Sequence, residues 1–440
     1  MLVRPVVIVL LVFLFASMFR LTFNVGLVLA YNSGSWPMFR HDLAHSGAST
    51  STGPTTNQTL WSYTTGGQVD CNPTVANGTV YVGSNDANVY ALNASTGKLL
   101  WAYKTVAWTY YYYALYEMGS CPTLADDTIY IGSGETVYAL NATTGTSKWN
   151  CSTGGETSSS PVVAGGIVYI GSGDMALALN ATTGSKIWNF TTGQFFWSSP
   201  AVANRIVYAD TDWPDGKVYA LNSSTGVLVW SYKTGDGVHS SPAVVNGVVY
   251  VGSDDGNVYA LNATTGKRVW NYSTGSIGSG NAVGSSPAVA NGMVFVGSDN
   301  DNVYALNATT GALVWKYKTG NTVLSSPAVA NGIVYVGSYD DRVYALNATT
   351  GVLVWKYKTG GGVGSSPAVA GGVVYIGSED DKIYAFGPAS HGTNYTFLYV
   401  AAAVIVLAAA IAYFVVPIVR RERKRQPPYR TLSHPEQKGT

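Results

Sequence analysis

Short apolar runs alternate with clusters of turn residues through most of the chain. Residues 325–360 show the unit: Ser-Ser-Pro-Ala-Val-Ala-Asn-Gly, then Ile-Val-Tyr-Val-Gly-Ser, then Arg-Val-Tyr-Ala-Leu-Asn-Ala-Thr-Thr-Gly, then Val-Leu-Val-Trp-Lys-Tyr-Lys-Thr-Gly. Each run is short and rich in β-branched and aromatic residues, and Gly, Asn, Ser or Thr bounds it. That pattern predicts four short strands joined by tight turns. They are called A to D in chain order.

The unit recurs. The strand D tryptophan returns at Trp61, Trp101, Trp149, Trp188, Trp230, Trp270, Trp315 and Trp355. The strand A proline returns at Pro73, Pro122, Pro161, Pro200, Pro242, Pro287, Pro327 and Pro367. The strand C aromatic returns at Tyr90, Tyr138, Tyr219, Tyr259, Tyr304, Tyr344 and Tyr384, with Leu177 in its place once. Four strands in a period of roughly 40 residues predict a β-propeller blade. The expected fold is all-β, an eight-bladed propeller of four-stranded antiparallel blades.

The phase of the repeat predicts how the ring closes. The first unit is a lone strand D around Trp61, and the last is A–B–C ending near Phe386. Eight quartets are complete only if the N-terminal strand joins the three C-terminal ones, which leaves no gap between blades.

Composition removes other classes. Apolar residues make up 47% of the chain and charged residues 11%, which excludes a disordered chain. Fifty glycines and six glutamates argue against a coiled coil or helical bundle. Residues 31–396 carry 16 Lys/Arg against 22 Asp/Glu, an acidic body that is unsuited to nucleic acid.

The two ends differ from the middle. An apolar stretch from Val6 to Phe19, and small residues before Tyr31, predict a signal peptide over 1–30, with an uncleaved anchor as the alternative. Residues 31–54 form a lead-in, 55–388 the propeller and 389–396 a linker. Residues 397–419 carry no charge and are long enough to cross a bilayer, so one C-terminal transmembrane helix is expected. The basic run from Arg420 to Arg425 makes 420–440 a cytoplasmic tail and places the propeller outside.

One motif carries a family resemblance. The segment Ala345–Trp355, Ala-Leu-Asn-Ala-Thr-Thr-Gly followed by three residues and Trp, resembles the tryptophan-docking motif of the pyrroloquinoline-quinone (PQQ)-like propellers. The lead-in from Trp36 to Asp42 is similar to the opening of such domains. The group includes quinoprotein alcohol dehydrogenases and the propeller lipoprotein of the outer-membrane β-barrel assembly machinery. The resemblance implies the fold and a choice between enzyme and scaffold. The dehydrogenases use two adjacent cysteines, a calcium ion and a catalytic aspartate. Here Cys71, Cys121 and Cys151 are far apart, so no catalytic residue and no cofactor is expected, with PQQ and calcium as the rival reading. Cys71 and Cys121 flank the prolines of neighbouring blades at register positions that point opposite ways. Their pairing is left open.

Loop positions sort the remaining residues between two faces. The D–A and B–C loops share the top, and the A–B and C–D loops share the bottom. Seven Asn-x-Ser/Thr acceptors fall on C–D turns, at Asn93, Asn141, Asn180, Asn222, Asn262, Asn307 and Asn347. Asn77 adds one on an A–B turn. These make the bottom the glycan face, or serve turn chemistry alone. Fifteen of the 24 acids lie on B–C loops and read mostly as solvated turn residues. The run Asp210 to Gly216 is similar to a calcium loop, but its third acid is one place late and Leu221 stands where a bidentate glutamate belongs. His239 has no acid partner in the sequence around it, and His41 and His45 form only a weak pair. No metal site is expected.

Non-repeat aromatics gather on top. Trp108, Tyr110, Tyr111, Tyr112, Tyr113 and Tyr116 fill the long insertion between blades 1 and 2. Phe195, Phe196 and Trp197 fill the next-but-one D–A loop, and Trp213 sits on a B–C loop. Such rings on loops suit protein or sugar binding, or a structural cover over the ring. The expected function is a membrane-anchored recognition module that binds an extracellular protein, peptide or glycan. A PQQ-dependent oxidoreductase and a membrane-anchored sensor are the alternatives.

Overall fold

The computed structural model describes residues 34–388, except 106–119, 213, 215 and 276–279. The predicted signal peptide, linker, membrane span and tail lie outside the described residues. Among the described residues no helix is long and apolar enough to cross a membrane.

The described residues form eight antiparallel sheets, each with four strands from the repeat. Strand A is three residues long, and strands B, C and D are five or six. In blade 5, for example, A is Ala243–Val245, B is Val248–Gly252, C is Asn257–Asn262 and D is Arg268–Ser273. Strands B and C are buried on both faces, which is why they read as unbroken apolar runs rather than as an alternation.

The ring closes as its phase predicts. Strand Thr59–Thr64 pairs antiparallel with Lys382–Phe386, with Thr59 opposite Phe386 and Thr64 opposite Lys382. The eighth blade is therefore built from both ends of the propeller.

Each strand D tryptophan docks on the following blade. In all but Trp355 the indole N–H donates to a carbonyl at the next C–D turn, as from Trp230 to Ala263 at 2.9 Å, Trp270 to Ala308 at 2.9 Å and Trp315 to Ala348 at 2.8 Å. The ring lies flat on the turn glycine. A Cβ added to Gly351 would come 2.7 Å from the Trp315 ring, and its φ of +70° also favours glycine. A strand B tyrosine reaches the same carbonyl, as Tyr208 does at Ala263 (3.2 Å) and Tyr250 at Ala308 (3.1 Å). The tryptophans thus hold blade to blade, as the repeat implies.

The lead-in runs inside the ring. Its carbonyls accept the N–H groups of the middle strand A residues: Trp36 from Val75, Pro37 from Leu124, Leu43 from Val202, Ala44 from Val244, Ser46 from Val289 and Gly47 from Val329. Ala48–Ser49 adds a short parallel strand to blade 7. The inner strand edges are satisfied in six blades by one stretch of chain.

Candidate functional site

The D–A loops end with a pattern that the period contains but that has no obvious purpose in one dimension. The residue before each strand A proline is Asn72, Cys121, Ser160, Ser199, Ser241, Ser286, Ser326 or Ser366. Each of these donates its backbone N–H to the side chain of the same position in the next blade. Asn72 donates to Cys121 Sγ at 2.9 Å, Cys121 to Ser160 at 3.0 Å, and Ser160 to Ser199 at 2.9 Å. Ser199 donates to Ser241, Ser241 to Ser286, Ser286 to Ser326 and Ser326 to Ser366, all at 2.9 Å. Ser366 closes the circuit on the Asn72 side-chain oxygen. Eight hydrogen bonds run in one rotational sense around the axis. A serine hydroxyl that accepts a backbone N–H keeps its own proton to donate elsewhere.

This circuit lines an axial vestibule of about 170 Å³. Phe39 of the lead-in contributes to its lining, as do Asp70, Trp197, His239 and Gly364. The lead-in also holds a buried guanidinium. Arg40 donates to the carbonyls of Pro327 and, at 2.7 Å, Pro287, while its Nε has no partner. Burial lowers its pKa to about 9, opposed by Asp42. Burial alone would raise the Asp42 carboxyl, but the nearby His41 ring and the bonds from Ser46 hold it down to about 2. His45 is buried edge-on to Phe39, and burial lowers its pKa to about 3. His41 packs edge-on to Trp36, so the lead-in histidines serve packing.

The structure corrects several expectations for the top face. Phe196 is buried, 2% exposed, and packs on Tyr219 with ring centroids 6.1 Å apart. It stands four residues before the strand A proline, where Val69, Val238, Val283, Val323 and Val363 are buried in other blades. It is a core residue and cannot anchor a ligand. Phe195 and Trp197 flank it and are exposed at 53% and 41%, with ring centroids 6.2 Å apart. The other expected anchors, Trp108, Tyr110, Tyr111, Tyr112, Tyr113, Tyr116 and Trp213, lie outside the described residues. Exposed aliphatics occur elsewhere on the outer strands and the turns before them, such as Leu100, Val227, Val314 and Val352, but are spread around the circumference.

Several B–C acids are locks rather than solvated turn residues. Asp255 accepts from the Tyr259 hydroxyl and, at 2.8 Å, from the Gly235 N–H of the preceding D–A loop. Asp86, Asp340 and Asp380 repeat this with Tyr90, Tyr344 and Tyr384. Burial first, then the neighbouring carboxylate, pushes Tyr90 up to about 12.

Two acids of the run that begins at Asp210, Asp210 itself and Asp212, are among the described residues. Asp210 takes the place of a glycine that recurs in strand B, as at Gly252 and Gly297, and is fully buried. Neither carboxylate oxygen has a partner, and burial raises its pKa well above the usual range. Asp212 turns instead to His239. The imidazole Nδ1 lies 2.7 Å from Asp254 and Nε2 lies 3.2 Å from Asp212. So His239 has two acid partners, one from each adjacent B–C loop, where the sequence offered none. Burial alone would lower its pKa, but the two carboxylates raise it to about 10.

Cys71 and Cys121 do approach, and both are free thiols. Cys71 Sγ faces the Ser120 carbonyl at 3.6 Å, and burial raises its pKa well above the usual value, with Cys121 adding to the shift.

A family model for the outer membrane protein assembly factor BamB matches residues 46–189, 133–282 and 275–392. The chain belongs to this PQQ-like propeller family. Family membership leaves enzyme and scaffold both open, because the solved structures similar to this chain include both. BamB from Moraxella catarrhalis is 19% identical with a TM-score of 0.63, covering 75% of this chain and 99% of that one. A europium-containing methanol dehydrogenase is 16% identical with a TM-score of 0.68, covering 82% and 99%. Quinohemoprotein alcohol dehydrogenase from Comamonas testosteroni is 16% identical with a TM-score of 0.66, covering 81% of each chain. At these identities the likeness shows the fold alone. No curated protein matches the chain.

The described residues fit a quinone of the PQQ type poorly. Ligand pockets start at roughly 300 Å³, and the vestibule, at about 170 Å³, is smaller. The only thiols beside it, Cys71 and Cys121, belong to two different blades.

Proposed function

We propose that this propeller is a recognition module whose top face binds a protein partner. The exposed pair Phe195 and Trp197 carries the reading. Trp197 lines the vestibule and Phe195 packs beside it, both exposed among the top-face loops. Aromatic anchors of this kind dominate binding energy at interfaces. The acids around them favour a basic or neutral patch on the partner. Residues 397–419 would anchor the module, with the propeller outside and the basic tail in the cytoplasm. Asn93, Asn141, Asn180, Asn222, Asn262, Asn307 and Asn347 would carry glycans on the opposite face and keep partners off it.

The test is capture by crosslinking, with the partner quantified for each variant. Replacing Phe195 and Trp197 together by Ser should abolish capture without unfolding the ring. Changing Asn262, Asn307 and Asn347 to Gln should leave it intact. The reverse result sinks the reading.

A further inference from the structure

We infer that Asp212, His239 and Asp254 form a site for a first-row divalent metal ion at the vestibule mouth. Their potential ligand atoms all lie within 4.8 Å of one another. They come from three loops of two blades: Asp212 from the B–C loop of blade 4, His239 from the D–A loop between blades 4 and 5, and Asp254 from the B–C loop of blade 5.

The geometry gives each residue a role. Asp254 lies against Nδ1 at 2.7 Å, which fixes the imidazole plane and directs Nε2 at Asp212. A carboxylate behind the coordinating imidazole is the usual support for a metal-bound histidine. Nε2 and the Asp212 oxygen are 3.2 Å apart. Two donors each about 2.1 Å from one ion subtend roughly 100° at that separation, between the tetrahedral and octahedral angles. The His239 side chain is 44% exposed, so an ion can enter from solvent and keep water in its remaining positions.

A second feature points the same way. Asp299, on the B–C loop of blade 6, has a buried carboxylate oxygen with no hydrogen-bond partner. It is within electrostatic reach of both Asp254 and His239. Three carboxylates therefore share one imidazole, and even with His239 protonated the cluster lacks balancing positive charge. A divalent ion in place of the Nε2 proton supplies it.

The donor chemistry selects the ion. Calcium and magnesium take oxygen ligands, whereas a mixed imidazole and carboxylate set suits zinc, manganese or cobalt. The partner-binding reading is tested at Phe195 and Trp197, and this one at Asp212, His239 and Asp254 by metal titration, so the two proposals fail separately.

The test uses the untagged full-length chain in detergent, stripped with a chelator. Titration with Zn²⁺ should show one tight equivalent per chain, and Co²⁺ should give the visible absorption of a nitrogen–oxygen site. Calcium should compete only at more than about 100-fold excess. His239→Gln should lose the Zn²⁺ equivalent, and Asp254→Asn should weaken it by about 10–100-fold. If His239→Gln does not fold, Asp212→Asn carries the comparison. No stoichiometric binding by the wild type, unchanged binding in the folded variants, or displacement by equimolar calcium would each overturn the site.

Discussion

The indole of Trp355 donates to the carbonyl of Pro54, 3.0 Å away and 301 residues earlier in the chain. Every other docking tryptophan uses a C–D turn of the next blade. The eighth blade has no such turn, because its strand D comes from the N-terminus. Pro54 supplies the missing acceptor, and Tyr335 reaches the same carbonyl at 2.9 Å. The lead-in thus completes the docking surface, as the strand after it, Thr59–Thr64, completes the sheet.

Removing residues 55–66 should therefore do more than delete a strand. It exposes the edge of Lys382–Phe386 and strips the Trp61 dock from blade 1. The expected outcome is a fall in melting temperature with oligomerisation, read by calorimetry and light scattering. A monomer with unchanged melting contradicts closure by pairing.

Trp315→Ala should cost about 3–5 kcal/mol, the usual range for a large buried aromatic. It also leaves the Ala348 carbonyl without its donor. Trp197→Ala, at the vestibule mouth, should cost within about 0.5 kcal/mol. Denaturant titration of both variants separates docking rings from surface rings.

Ser286→Ala removes one link of the axial circuit and leaves the Ser241 N–H buried without an acceptor. A loss of about 1–3 kcal/mol is expected. Ser286→Thr keeps the hydroxyl and should recover most of it.

Two histidines should pull stability in opposite directions with pH. In the metal-free protein His239 has a folded pKa raised to about 10, so its contribution is full below about 6.5 and is lost as pH rises toward 10. His45 has a folded pKa lowered to about 3, so its contribution is full above about 6.5 and is lost as pH falls toward 3. Melting temperature measured from pH 4 to pH 10 should therefore fall at both ends. His239→Gln should flatten the alkaline limb only.

Reconstitution with PQQ and calcium should yield no dye-linked alcohol or sugar oxidation. Chelator-sensitive turnover would restore the enzyme reading.

The fold was legible because the docking tryptophan and strand A proline repeat in all eight blades and the turn glycine in seven, so the copies corroborate one another. The fate of Phe196 was legible too, in the valines that hold the same offset from the proline in five other blades. His239 was not. Its partners lie 27 residues before it and 15 after, on loops whose lengths differ between blades, so no periodicity links them. The axial circuit falls between these cases. Ser-Ser-Pro is plain in the sequence, but only a closed ring turns it into a chain of bonds without an end. Cys121 and Asn72 show that the position demands an acceptor rather than serine itself.

Closure by the two ends also fixes an order of events during synthesis. Thr59–Thr64 leaves the ribosome before any of the three strands it must join. At about 5–20 residues per second, roughly 15–60 s pass before Lys382–Phe386 follows. Over that interval the lead-in and its strand have no finished ring to enter, and each completed blade offers its docking tryptophan to a neighbour that is still being made. The protein is therefore obliged to fold late, and a nascent chain stalled before blade 8 should be the form most dependent on chaperones.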